Sequence, residues 1–215
     1  MQDLVLYIGN KNYSSWSMRP WLALTGCGIP FREVLIPFEM KAGNPKYRSL
    51  SPVGRVPVLH HGNVKVWESL AIIEYVAELF PDAGLWPKMA AERALARSIS
   101  MEMLSGFQAL RGSCPMNIRR KPGKIALPEG VAANIDRIET IWRDCRRQSG
   151  GPFLFGAFTA ADAMFAPVVN RFEVYELVSA PDTLDYMNAM KAHPAWREWQ
   201  NAALQETWYV EEDEA

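Results

Sequence analysis

The chain has 215 residues, a formal net charge of −1 and 49% hydrophobic residues, enough for one large domain or two modest ones and without the basic excess of a dedicated nucleic-acid binder. It holds no run of about 18 apolar residues and no basic N-terminal region, which speaks against a transmembrane helix and a signal peptide. The three cysteines, Cys27, Cys114 and Cys145, are scattered and form no CxxC motif, so the expected setting is a reducing cytoplasm rather than a disulfide framework.

Leu4 to Ile8 is a short apolar run and reads as a buried strand. A polar turn follows, and Ser14-Ser15-Trp16-Ser17 leads into the apolar Trp21-Leu22-Ala23-Leu24. Serine is a strong N-cap, so a first helix is predicted over 15–25, with Pro20 in its early turns. Phe31 to Ile36 alternates apolar and charged residues and reads as a second strand, parallel to the first in a βαβ unit. Residues 37–55 are rich in Pro, Gly, Asn and Lys and read as an irregular connection.

Val56-Pro57-Val58-Leu59 is a predicted strand, His60-His61-Gly62-Asn63 a turn, and Val64 to Trp67 the returning strand of a hairpin. Glu68-Ser69 opens an amphipathic helix through Leu79. This order of elements matches a thioredoxin-like α/β layer over residues 1–80. Residues 81–88 carry Pro81, Gly84 and Pro87 and read as a linker. Beyond it lies an all-helical domain, 89–215, with helices expected near 89–113, 131–148, 160–178 and 183–191, and from about 194. The acidic end, Glu211 to Ala215, reads as a frayed tail.

Four features of the first domain bear on chemistry. At the serine-led start of the first helix the amides are unpaired and the dipole favours negative charge. A hydroxyl there can donate to a thiolate, lower the thiol's pKa and so favour the reactive species. Ser14 or Ser15 can equally be a plain cap. Second, a proline in the short strand at Val56-Pro57 fits either an edge strand or a cis bond, and the latter leaves the Val56 backbone free to pair with an extended peptide. Third, Glu68-Ser69 at a helix start can meet a carboxylate and an ammonium group, or only cap the helix. Fourth, no cysteine stands at the first helix start, which removes dithiol redox chemistry; the thiol must come from a ligand.

Together these features resemble the N-terminal domain of glutathione transferases, and the likeness extends over the whole chain. Tyr13-Ser14-Ser15-Trp16-Ser17-Met18-Arg19-Pro20 is similar to the serine motif of the bacterial zeta-like branch. Val56-Pro57 is similar to the family's cis-proline element, and Glu68-Ser69 to its acidic-serine pair. Thr159-Ala160-Ala161-Asp162, after Gly-Pro-Phe-Leu-Phe-Gly, resembles its helix-capping motif. The resemblance implies a cytoplasmic homodimeric detoxification enzyme that binds reduced glutathione and a small electrophile, with no metal, nucleic acid or membrane partner. Ser15 or Ser14 would activate the thiol, Val56 and Pro57 would hold the cysteinyl backbone, Glu68 and Ser69 the γ-glutamyl group, and Lys41 or a neighbour the glycyl carboxylate.

Zeta-class proteins include maleylacetoacetate isomerases, whose motif is Ser-Ser-Cys. Here Trp16 replaces that cysteine, and Val174 stands where their substrate arginine is expected, with Arg171 one turn earlier on the same face. These departures weigh against an isomerase. A non-catalytic binding protein of the same fold is a further alternative. The second substrate is expected between the domains, where Trp16, Arg111 and Arg171 are the chief candidates, with Phe107, Leu110, Met116 and Asn117 beside them. His60 and His61 point to alternate faces of a hairpin and read as no metal site.

Overall fold

In a computed structural model, residues 3–38 and 44–214 are described. The first unit runs β1 (Leu4–Ile8), α1 (Ser15–Gly26), β2 (Arg32–Leu35), α2 (Tyr47–Leu50), β3 (Val58–His61), β4 (Val64–Trp67) and α3 (Ser69–Leu79). The strands form one mixed sheet in the order β2-β1-β3-β4. β1 and β2 are parallel and are joined by α1 as a strand–helix–strand unit; β3 runs antiparallel to both β1 and β4. The inward residues of β1, Leu4, Leu6 and Ile8, are at most 4% exposed, so the period-two alternation faces the core.

Helices make up the rest: α4 (Ala90–Ser105), α5 (Gln108–Ser113), α6 (Val131–Ser149), α7 (Ala160–Val174), α8 (Pro181–Ala192) and α9 (Pro194–Gln205). α1 packs on α3, α7 and α9, and α4 packs on α7. One continuous apolar core therefore runs from the sheet into the helices. α7 is its axis, buried along its length. Asp162 fixes where it starts: its carboxylate accepts from the Thr159 amide at 2.9 Å, the Leu154 amide at 3.0 Å and the Tyr186 hydroxyl at 3.1 Å. Thr159 and Asp162 form the reciprocal capping box.

Four expectations need correction. The cis Val56-Pro57 bond precedes β3, because proline has no ladder donor, and His60 and His61 are the last residues of that strand instead of a turn. The 37–55 connection contains the short α2, whose four residues are too few for a periodic signal. The expected helix over 89–113 breaks at Gly106 and Phe107. Phe107 takes a left-handed φ of 58°, and a Cβ at Gly106 would lie 2.7 Å from the Glu102 carbonyl oxygen, which excludes any side chain there. The acidic end is not frayed: Glu211–Asp213 forms a 3₁₀ turn held to the rest of the chain as described below. Lys41 lies outside the described residues.

Candidate functional site

Three chain segments meet at one edge of the sheet. β1 ends there and leads into α1. β3 begins there, its Val58 paired with both Tyr7 and Trp67. β4 ends there and leads into α3. Ser14, Ser15, Val56, Glu68 and Ser69 are thereby brought to the same rim, although they are spread over more than 50 positions of sequence.

The two serines have different surroundings. Ser14 is the N-cap of α1. Its hydroxyl accepts from the Ser17 amide at 3.3 Å and donates to the Ser17 hydroxyl at 2.8 Å, and Ser17 Oγ in turn accepts from the Gly9 amide at 3.1 Å. Ser15 is the first helical residue, and among the described residues its hydroxyl makes no hydrogen bond. So Ser14 is engaged in holding the turn, and Ser15 carries the uncommitted hydroxyl at the positive end of the helix dipole.

Pro20 explains how α1 and α3 are joined. Proline lacks the N–H that would reach back to the carbonyl four residues earlier, that of Trp16. The Ser69 hydroxyl donates to that carbonyl at 2.7 Å, so the vacant acceptor of one helix is satisfied from the first residue of the other. Ser69 is fully buried, and its hydroxyl proton is used in this link. Its amide remains among the unpaired donors at the start of α3. Glu68, just before it, is exposed and adopts φ 68° and ψ 130°, a region that a side chain rarely occupies and that costs of order 1–3 kcal/mol. Val56, ahead of the cis bond, makes no backbone–backbone hydrogen bond among the described residues. The Trp16 amide at the start of α1, the first amides of α3, an unpaired Ser15 hydroxyl and the unpaired Val56 backbone, all without a partner among the described residues, suit an extended anionic peptide. No cysteine competes: Cys27 lies at the far end of α1, where burial pushes its thiol up to about 11.

Behind the serines lies a cluster of cations. The guanidinium of Arg19 sits over the Trp16 ring at 4.7 Å from its centroid, and that of Arg111 at 4.8 Å. Arg19 is fully buried. Its Nε donates to the Met164 carbonyl at 3.0 Å, in the half of α7 that precedes Pro167, while Nη1 and Nη2 have no hydrogen-bond partner among the described residues. Arg171, 4% exposed, donates from Nε to the Cys114 carbonyl at 2.7 Å, and its Nη1 has no hydrogen-bond partner among the described residues. Burial and then the charges of Arg171 and Arg111 hold the Arg19 guanidinium well below its ordinary range. Burial, with Arg111 adding to it, lowers Arg171 to about 10. Arg111 is half-buried and donates to the carbonyls of Leu104 at 2.9 Å and Gly106 at 3.2 Å. Val174 is buried and apolar.

Of the acceptor-side candidates, the structure brings Trp16 and Arg111 together directly, with Arg171 near enough for its charge to act on Arg19. Sequence reasoning missed Arg19; its position four residues after Ser15, one helical turn on, was the available signal. His60 and His61 are separately engaged, with the Leu50 carbonyl at 3.0 Å and the Tyr75 hydroxyl at 2.8 Å. No group of three potential metal-ligating His, Cys, Asp or Glu residues occurs among the described residues. No described helix is long and apolar enough to cross a membrane.

A small mixed sheet with a cis-proline rim, joined to a helical unit through α1 and α7, defines a thioredoxin-like protein with a second, helical unit. Two family models match it: the glutathione S-transferase N-terminal domain over residues 13–79 and the C-terminal domain over 117–201. A maleylacetoacetate isomerase of Mus musculus is 34% identical over 190 residues, covering 86% of this chain and 85% of its own. A probable maleylacetoacetate isomerase of Caenorhabditis elegans is 31% identical over 183 residues, covering 80% and 82%. The crystal structure of a glutathione transferase homolog from Burkholderia gl BGR1, with bound glutathione, superposes with a TM-score of 0.73 at 22% identity over 96% of this chain and 100% of that one. The chain belongs to the glutathione S-transferase family and is a glutathione-dependent enzyme.

Proposed function

We propose that the protein binds reduced glutathione at the α1–α3 rim and activates its thiol, through Ser15, for attack on a small electrophile. The observation that carries this is the division between the serines: Ser14 is committed to Ser17, and Ser15 is not. A donor at Ser15, with the Trp16 amide, the one amide of the first turn that no hydrogen bond takes up among the described residues, favours the thiolate over the thiol. Val56 and Pro57 align the cysteinyl backbone as an added strand. The Ser69 amide and the Glu68 carboxylate receive the two charged groups of the γ-glutamyl end. In this reading residues 1–80 are the glutathione unit, 81–88 the linker and 89–215 the unit that completes the acceptor side, where Trp16, Arg111 and Arg171 face the electrophile. The working form is a cytoplasmic homodimer, for which light scattering is the test.

The names of the mouse and nematode relatives favour an isomerase as second reading. Trp16 in place of cysteine and Val174 in place of arginine weigh against it. Ser15→Ala is the deciding experiment. It should lower kcat/KM for an aryl halide by tenfold or more, about 1.4 kcal/mol of transition-state stabilisation, and shift the titration of the bound thiol upward. Full activity in both Ser15→Ala and Ser14→Ala would refute the serine mechanism. Turnover of a maleylacetoacetate analogue above that of aryl halides would favour the isomerase.

A further inference from the structure

Beyond α9 the chain turns back and runs to the rim. Residues 206–214 contain five carboxylates and no cation. The Glu206 carboxylate accepts from the amides of Lys11, at 2.6 Å, and Asn12, at 2.9 Å, in the turn that leads into α1. Arg119 donates to the Trp208 carbonyl at 2.6 Å and to the Tyr13 hydroxyl at 2.8 Å. The Tyr13 hydroxyl donates to one oxygen of Glu214, and the Asn117 side-chain amide donates to the other at 3.0 Å and to the Asp213 carbonyl at 3.3 Å. Asn117 is tied from its own amide to the Asn170 side chain at 3.1 Å, the residue before Arg171. The acidic end thus lies between Tyr13, which adjoins the serines, and the helix that carries Arg171.

This placement matches an imbalance below it. Arg19 and Arg171 bury guanidinium N–H groups that no acceptor among the described residues meets, and a buried cation without an anion is costly. Asp213 is the carboxylate whose charge acts on Arg171, yet its side chain makes no hydrogen bond among the described residues. It supplies field without ligation. The charged anchors at Glu206 and Arg119 hold the start of the segment, whereas Asp213 and Glu214 are held by hydrogen bonds from the neutral Tyr13 and Asn117 side chains, so the end of the segment is the part suited to leave.

We propose that Asp213 and Glu214 form an internal carboxylate strap that closes the arginine side of the acceptor site and is displaced when a small carboxylate-bearing molecule binds there. The inference rests on the reading of Arg111 and Arg171 as acceptor-side residues. The strap makes the site selective for charge, since a neutral molecule cannot replace the field that the strap takes away. Its departure also frees the Tyr13 hydroxyl and the Asn117 amide to donate to the incoming group.

The test uses succinate, with its dimethyl ester as neutral control, on the full chain without glutathione. Saturating succinate should speed hydrogen exchange at the amides of Val210, Asp213 and Glu214 by about tenfold or more, and the ester should not. Asp213→Asn/Glu214→Gln, and a chain ending at Val210, should each bind succinate about fivefold or more tightly than wild type, because the competing closed state is lost. Unchanged exchange at those amides, or equal succinate affinity in wild type and both variants, would overturn the strap. Neither measurement involves turnover, so failure here leaves the Ser15 reading standing, and failure of Ser15→Ala leaves the strap standing.

Discussion

Removing the Ser69 hydroxyl should weaken the joint between α1 and α3, and the size of the effect should depend on Pro20. Ser69→Ala leaves the Trp16 carbonyl without the donor that reaches it at 2.7 Å. An unmet, partly buried acceptor costs about 1–3 kcal/mol, so a loss of about 1.5 kcal/mol is expected, or roughly 3–6 °C in Tm for a chain of this size. The acceptor is vacant only because proline stands four residues on. In Pro20→Ala the backbone amide returns and can close the helical bond itself. The Ser69→Ala penalty should then fall by about 1 kcal/mol, measured as a double-mutant cycle in urea with the slope m held constant. Glutathione affinity should follow the same pattern, since the link sets the spacing of the two helix starts. An equal Ser69→Ala penalty in both backgrounds would refute the account of Pro20.

Ser14→Ala should cost about 1 kcal/mol of stability through the lost cap, whereas Ser15→Ala should leave the denaturation midpoint nearly unchanged, so thermal melts of the two variants separate a structural serine from a chemical one. Gly106→Ala should destabilise by at least about 1–2 kcal/mol, because its Cβ meets the rigid Glu102 carbonyl oxygen at 2.7 Å; a neutral effect by chemical denaturation would contradict the break between α4 and α5. Burial raises the Asp162 carboxyl from 3.8 to about 6, outweighing its hydrogen bonds from Leu154, Thr159 and Tyr186. A carboxyl raised on folding binds its proton more tightly in the native state, so its contribution is full below about pH 4 and is lost as pH rises through 6. The stability of wild type relative to Asp162→Asn should therefore decline between pH 4 and 7, and a rise over that window would reverse the sign assigned here.

The strands of the first unit were legible as short apolar or alternating runs bounded by turn residues, and most helices as longer amphipathic runs with caps. β1 is an unbroken apolar run, Leu4 to Ile8, and α7 pairs a capping box with an apolar run. The elements that escaped have no such pattern. α2 is one turn long. The α4–α5 break depends on a backbone clash at Gly106 and a left-handed Phe107, neither of which composition reveals. The two histidines read as a turn because His-His-Gly-Asn is polar, but pairing with Val5 and Leu4 of β1 outweighs that local preference.

The glutathione side of the site was legible for a different reason than the acceptor side. Helix starts announce themselves locally: a serine, an acidic residue and a proline mark chain geometry within a few positions, and the sheet order then brings the three marks to one rim. The arginine cluster has no local mark. Arg19, Arg111 and Arg171 come from three helices, and nothing in any one helix distinguishes a buried guanidinium from a solvated one. Their meaning appears only when the Trp16 ring stands under two of them and unpaired Nη groups on Arg19 and Arg171 are left in the interior. Replacing Arg19 tests whether that charge serves binding or packing. Arg19→Met keeps the bulk of the side chain and removes a desolvated cation, so stability should hold or rise by about 1–4 kcal/mol. Succinate affinity should fall, since one of three positive charges around the anion is gone. A loss of stability with unchanged succinate binding would make Arg19 a packing residue held by the Met164 carbonyl and the indole ring, and would remove it from the anion site.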